Sequence, residues 1–188
     1  MKHDYTKVLI LLFSALLTGC SGGRNVNYAP QVYNRLSYLQ RLSEEMAKTA
    51  GEENAIADTA ERRAVLAAIS RGTVQEIEQS VGGFYLTDKS QHEAIFQGGA
   101  QRGERALDPV EVQQLQPLVQ KVISTGKYQE EVVSFYEHEV AQVAAPVERD
   151  GKIAGVAWIR SALPSELKEV TQSGSRFGAS STRPSQQE

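Results

Sequence analysis

Glu139–Ser161 reads EVAQVAAPVERDGKIAGVAWIRS, and its reading decides the fold. Two apolar runs, Glu139–Val147 and Lys152–Ser161, flank Asp150-Gly151. Asp-Gly between apolar runs signals a two-residue hairpin, because both turn positions need φ > 0. That loop sets Val147 opposite Ala154, Ala145 opposite Val156, and Val143 opposite Trp158, all six on one face. The other face carries Ala144, Pro146, Ile153, Gly155, Ala157 and Ile159, so both faces are expected to be at least partly covered. Pro146 has no N–H, which predicts an edge, a bulge or a local break there.

Working outward, Glu131–Tyr136 (EVVSFY) is a third strand, set off by a polar bend at Glu137-His138. Asp108-Pro109-Val110-Glu111 announces a helix, with Asp as N-cap, Pro in the first position and Glu reaching back. Val112, Leu115, Val119 and Val122 line its apolar side and Gly126 ends it. Phe84-Tyr85-Leu86-Thr87 and Glu93-Ala94-Ile95-Phe96 are β-prone runs around a polar turn at Asp88-Lys89-Ser90. Residues 98–107 are expected to be a loop carrying glycine and arginine.

Further upstream the period changes to that of a helix. Val32, Leu36, Leu39, Leu42 and Met46 form one stripe that ends near Ala50-Gly51. A second run, Thr59 to Val81, places Leu66, Ile69, Val74, Ile77 and Val81 on a broadly similar face. Gly72-Thr73 interrupts it, and Thr73 with Glu76 fits a capping box, so two helices meeting at a bend are expected. Gly82-Gly83 is read as the stop. The class is α+β: N-terminal helices on one side of a mostly antiparallel sheet, and the single intervening helix on the other.

The chain has 188 residues, 20 Lys+Arg against 23 Asp+Glu, and a single cysteine. One domain with appendages fits that length. A net charge of −3 excludes an electrostatic nucleic-acid binder, and one cysteine excludes an internal disulfide framework. Val8–Leu17 (VLILLFSALL) is too short to cross a bilayer and suits a secretory signal.

Leu17-Thr18-Gly19-Cys20 resembles the lipobox of bacterial lipoproteins. The resemblance implies removal of residues 1–19 and lipidation of Cys20, hence a membrane anchor that does not span. Ser21, rather than Asp, implies an outer-membrane protein facing the periplasm if the source is Gram-negative. Residues 20–30 then form a lipidated tether, of which Ser21–Pro30 (SGGRNVNYAP) is expected to be flexible, 31–170 the domain, and 171–188 a Ser- and Gln-rich disordered tail.

From Gly82 to Leu167 the chain resembles extracytoplasmic PAS-like (Cache, or PDC) sensor domains of bacterial receptors. The resemblance rests on Phe84–Asp88 (FYLTD), Val143–Val147 (VAAPV), Asp150-Gly151, Gly155-Val156-Ala157 and Ser161-Ala162-Leu163. It implies a sensor that binds a small ligand or a partner protein. No transmembrane pair or output module accompanies the domain, so such a sensor reports through another protein. Cache domains commonly pair through the N-terminal helix, which implies a homodimer through residues 32–46; the plainer reading of Leu36, Leu39 and Leu42 is core.

No HExxH, GxSxG, P-loop or GxGxxG occurs, so no enzyme and no cofactor is expected. Glu137-His138-Glu139 contains metal-ligand types, but alternation in a strand would separate them. His92 stands in a polar turn. By the resemblance, a pocket lies between the sheet and the helix-containing connection. Its candidate residues are Tyr85, Asp88, Arg102, Arg105, Tyr136, His138, Trp158 and Arg160, the arginines for a carboxylate and the aromatics as a frame. The competing readings are aromatic residues in the core with solvated arginines, and an envelope lipoprotein acting only through protein contacts.

Overall fold

The computed structural model describes residues 30–163 except 54, 58 and 137. The signal segment, Cys20, the tether before residue 30, Glu137 and the tail lie outside the described residues.

Helix α1, Pro30–Glu52, buries Val32, Leu36, Leu39, Ser43, Met46, Ala47 and Ala50. Leu42 packs against the same core, partly buried. The stripe in residues 32–46 is therefore spent on the strands His138–Arg149 and Lys152–Ala162 of its own sheet. What this helix offers a partner is its opposite face, with Tyr33, Tyr38 and Arg41. Helix α2, Arg62–Val74, is one helix. Gly72 and Thr73 lie inside it, and the Thr73 hydroxyl donates back to the Ile69 carbonyl at 3.0 Å instead of capping a new helix. Back-bonding of this kind satisfies threonine in a helix interior.

Six strands form one antiparallel sheet in the order β3-β2-β1-β6-β5-β4. They are β1 Ser80–Leu86, β2 Gln91–Gln97, β3 Gly103–Glu104, β4 Gln129–Phe135, β5 His138–Arg149 and β6 Lys152–Ala162. Three corrections follow. Gly82 and Gly83 are strand residues, not a stop. The first strand begins at Ser80, and Val81 belongs to it, not to a helix. The expected 98–107 loop contains a 3-10 turn, Gly99–Gln101, and the short β3.

The Asp150-Gly151 turn is present, with φ of 52° and 71°. Its register differs by one residue from that expected. Val147 pairs with Gly155, Ala145 with Ala157 and Val143 with Ile159. A bulge is the cause: Glu148 pairs with Ile153, and Ala154 is left over. The Ala154 carbonyl accepts from the Thr87 amide at 3.2 Å and the Thr87 hydroxyl at 2.7 Å. Because the side-chain period is two, the slip moves Trp158 to the face opposite Val143. Pro146 lies two residues past Ala144, where β4 stops covering β5, so its missing N–H leaves no ladder bond broken.

Helix α3, Pro109–Thr125, is capped as expected. The Glu111 amide donates to Asp108 Oδ1 at 2.8 Å, Asp108 N donates to Glu111 Oε2 at 3.0 Å, and Gly126 ends the helix at φ 66°. The two apolar layers fall on opposite faces of the sheet. Val143, Ala145, Val147, Ala157 and Ile159 pack with α1 and α2. Tyr85, Ile95, Ala144, Val156 and Trp158 pack with Leu115, Leu118, Val119 and Val122 of α3. Among the described residues no helix is long and apolar enough to cross a membrane.

Candidate functional site

The α3 face of the sheet carries a line of polar groups at the helix N-terminus. Arg160, near the end of β6, is buried and has Phe135 stacked on its guanidinium, Cζ 4.8 Å from the ring centroid. Its Nη2 donates to Gln114 Oε1 at 3.0 Å, and its Nη1 lies 3.8 Å from Glu111 Oε1. Burial draws the Arg160 pKa down and the Glu111 carboxylate opposes this. Arg105, in the stretch leading to α3, holds Glu111 with both Nη atoms. A pocket of about 140 Å³ opens here, lined by Val81, Phe135, His138 and Val140 with Arg160 and Glu111.

A second, larger cleft of about 450 Å³ runs along β2, lined by Gln91, His92, Glu93, Ile95, Arg105 and Ala106, with Arg63 and Glu104 also in its wall. Its placement follows from a bulge. Gly82 pairs with Phe96 and Phe84 with Glu93, so β2 spends an extra residue there, and Ala94 takes φ 54°. His92 and Ile95 consequently face the same way. The His92 ring meets Tyr85 edge-on at 5.1 Å and Trp158 at 5.6 Å.

Both ring nitrogens of His92, the indole N–H of Trp158 and Nε of Arg105 are buried with no hydrogen-bond partner in the protein. Burial holds the His92 pKa down to about 4, so the imidazole is neutral near pH 7, with one donor and one acceptor nitrogen. Buried polar groups without partners are rare in folded chains; three of these nitrogens sit on the touching His92 and Trp158 rings, and Arg105 lines the same cleft as His92.

The structure divides the eight expected site residues. His138 and Arg160 line the smaller pocket, while Arg105 lines the larger cleft and reaches the smaller one only through its bond to Glu111. Tyr85 and Trp158 form the wall behind His92. Asp88 is turned toward α2, where it accepts from Arg62 Nη1 at 2.7 Å, a hydrogen bond that lowers its pKa. Arg102 is exposed, 3.9 Å from Glu76. Tyr136 sits on the β4–β5 turn at φ 51°, edge-on to Phe135. The rest of this sheet face is filled by the α3 side chains.

Sequence reading missed three residues. His92 lies opposite Tyr85 in the β1–β2 hairpin, and writing out that hairpin's register would have found it. Glu111 was legible only as a cap, and Gln114 gave no signal. Among the described residues no group of three or more His, Cys, Asp or Glu side chains forms a metal site.

No family model and no curated protein matches this chain. Among solved structures it is similar to the periplasmic sensory domain of the Campylobacter jejuni chemoreceptor Tlp1, with a TM-score of 0.56 and 12% identity over 78% of this chain and 60% of that one. It is also similar to the ligand-binding domain of the C. jejuni chemoreceptor Tlp3 in complex with L-valine. There the TM-score is 0.51 and the identity 16%, over 74% of this chain and 57% of that one. The chain thus spans less than two thirds of the length of these domains. The likeness is one of fold, that of extracytoplasmic, Cache-type sensory domains.

Proposed function

We propose that this chain is a lipoprotein, anchored through Cys20 on the extracytoplasmic side of a membrane, whose domain binds a small polar ligand without transforming it. The cluster of unpartnered buried nitrogens on His92, Trp158 and Arg105 beside the β2 cleft carries the reading. Three kinds of donor and one acceptor fit a ligand with both a carboxylate and an N–H group. Arg63 and Glu104 pair at 3.7 Å in the cleft wall, with Glu93 bound to Lys89 and Arg105 to Glu111 beside them, so a zwitterion would meet both signs of charge by exchanging into these pairs. A free α-amino acid meets both requirements, and the similar C. jejuni Tlp3 domain is described in complex with one, L-valine. A cleft of this size lies within the roughly 300–1,000 Å³ common for small-molecule sites.

One observation favours the rival reading, an envelope lipoprotein that works only through protein contacts. The α3 side chains fill most of the sheet face, and Glu111 already neutralises Arg160.

A thermal-shift screen of the protein against amino acids separates the two. Ligand at about 100 times its dissociation constant stabilises the native state by about 2.7 kcal/mol. His92→Phe keeps the aromatic packing and removes both nitrogens, so the shift should vanish while the ligand-free melt stays cooperative. A cooperative melt with no shift across the panel favours the protein-contact reading.

A further inference from the structure

Pro30 opens the domain at one end of the sheet. Arg35 Nη2, in the second turn of α1, donates to Ser161 Oγ at 2.6 Å, and Ser161 pairs with Ser80. The β4–β5 turn lies at this end, since Val140 pairs with Ala162. Helix α3 starts here too: Gln114 Nε2 donates to the Ser134 carbonyl at 2.9 Å, whereas Gly126 at its far terminus approaches Ile153. The Asp150-Gly151 hairpin marks the opposite end.

Among the described residues the exposed large apolar side chains are Tyr33 (61%), Tyr38 (38%), Val110 (44%) and Tyr136 (76%). All four belong to the first end. Tyr33 and Tyr38 lie on the outer face of α1 near its start, Val110 in the first turn of α3, and Tyr136 on the β4–β5 turn. Arg35 and Arg41 sit over the Tyr38 ring at 5.8 and 5.7 Å. Tyrosine concentrates where membrane meets water, its ring in the apolar layer and its hydroxyl in the wet one. Arginine beside it is suited to lipid phosphate.

Chain length supplies the second argument. From Cys20 to Pro30 is ten residues, a reach of at most about 35 Å. A lipid on Cys20 therefore joins the domain at this end and holds Pro30 within that distance of the bilayer.

We propose that this end of the domain rests on the lipid headgroup layer, with Tyr33, Val110 and Tyr136 in contact with it and Arg41 beside them. The inference rests on the lipoprotein reading and adds to the lipid anchor a contact that sets how the domain is oriented on the membrane.

The test uses the full chain, acylated, in vesicles of phosphatidylethanolamine and phosphatidylglycerol that contain a headgroup nitroxide lipid. Asn34→Cys, beside Tyr33, and Lys152→Cys, at the hairpin, each supply one free thiol for a fluorophore. The label at 34 should be quenched and the label at 152 should not. Adding Tyr33→Ser and Tyr136→Ser should abolish most quenching at 34 while membrane retention and the thermal melt are unchanged. Equal quenching at both positions, quenching at 34 indifferent to the serines, or a label at 34 covered by a co-purifying protein each overturns the docking. Failure of the lipoprotein reading looks different: the chain leaves the membrane fraction and Cys20 itself takes the label.

Discussion

Arg105 and Glu111 meet fork to fork: Nη1 donates to Oε2 at 2.7 Å and Nη2 to Oε1 at 2.5 Å. The same Oε2 accepts the Asp108 amide, and Oε1 faces Arg160. One largely buried carboxylate thus caps α3, fixes the preceding loop and neutralises a buried guanidinium. Glu111→Ala should cost about 3 kcal/mol or more, because it strands the Arg160 charge and removes the cap. Glu111→Gln, which keeps an acceptor, should cost less. Urea unfolding reads both as a lower midpoint at unchanged slope.

His92 makes stability depend on pH in a definite window. Its folded pKa of about 4 lies below the ordinary 6.5, so the unfolded chain binds the proton first. Stability from this group is full above about pH 6.5 and is lost as pH falls toward 4. His92→Phe should flatten the melting temperature across that window. Asp88 adds a loss at lower pH, since Arg62 holds its pKa below the usual carboxylate value. A wild-type melt that stays level from pH 6.5 to 4 would contradict the burial of His92.

Gly98 tests the junction between α2 and the sheet. A Cβ there would stand 1.8 Å from the Val74 carbonyl oxygen and 2.7 Å from that of Ile77. Both obstacles are backbone, so the end of α2 must move. Gly98→Ala should destabilise by about 1–3 kcal/mol or more. Gly103→Ala, with nothing within 4 Å of its Cβ, is the control and should change little.

Cys20→Ala should release the protein from the membrane fraction and abolish metabolic labelling with palmitate. Full retention of the unlabelled variant would end the lipoprotein reading.

The caps of α3, the Asp150-Gly151 turn and the two-sided sheet were legible because each is written in a few adjacent residues. Asp108 and Glu111 are three apart, and the positive-φ pair is its own signature. The register was not legible. The extra residue at Ala154 is held by Thr87, on the turn after β1, and nothing local to the hairpin announces it. That displacement put Trp158 on the α3 face, beside His92. Thr73 misled for a related reason: its hydroxyl has two possible partners, and packing against the sheet chose the one inside α2. The clefts themselves come from contacts between β2, the 103–107 segment and α3, which no single stretch of sequence encodes.

The sheet consists of two three-stranded ladders, β1 with β2 and β3, and β4 with β5 and β6, each built from neighbours in sequence. They meet only where β1 lies against β6, from Ser80–Ser161 to Leu86–Gly155. Each ladder can assemble locally, but the seam must wait for the last strand, and a seam that joins distant segments forms slowly. A chain emerging N-terminus first, whether from a ribosome or through a secretion channel, therefore has no complete sheet until residues 152–162 are out. Trp158 and Ile159 sit on the strand that completes it, so the event that seals both apolar layers comes last, and earlier intermediates present an open β1 edge that chaperones can hold.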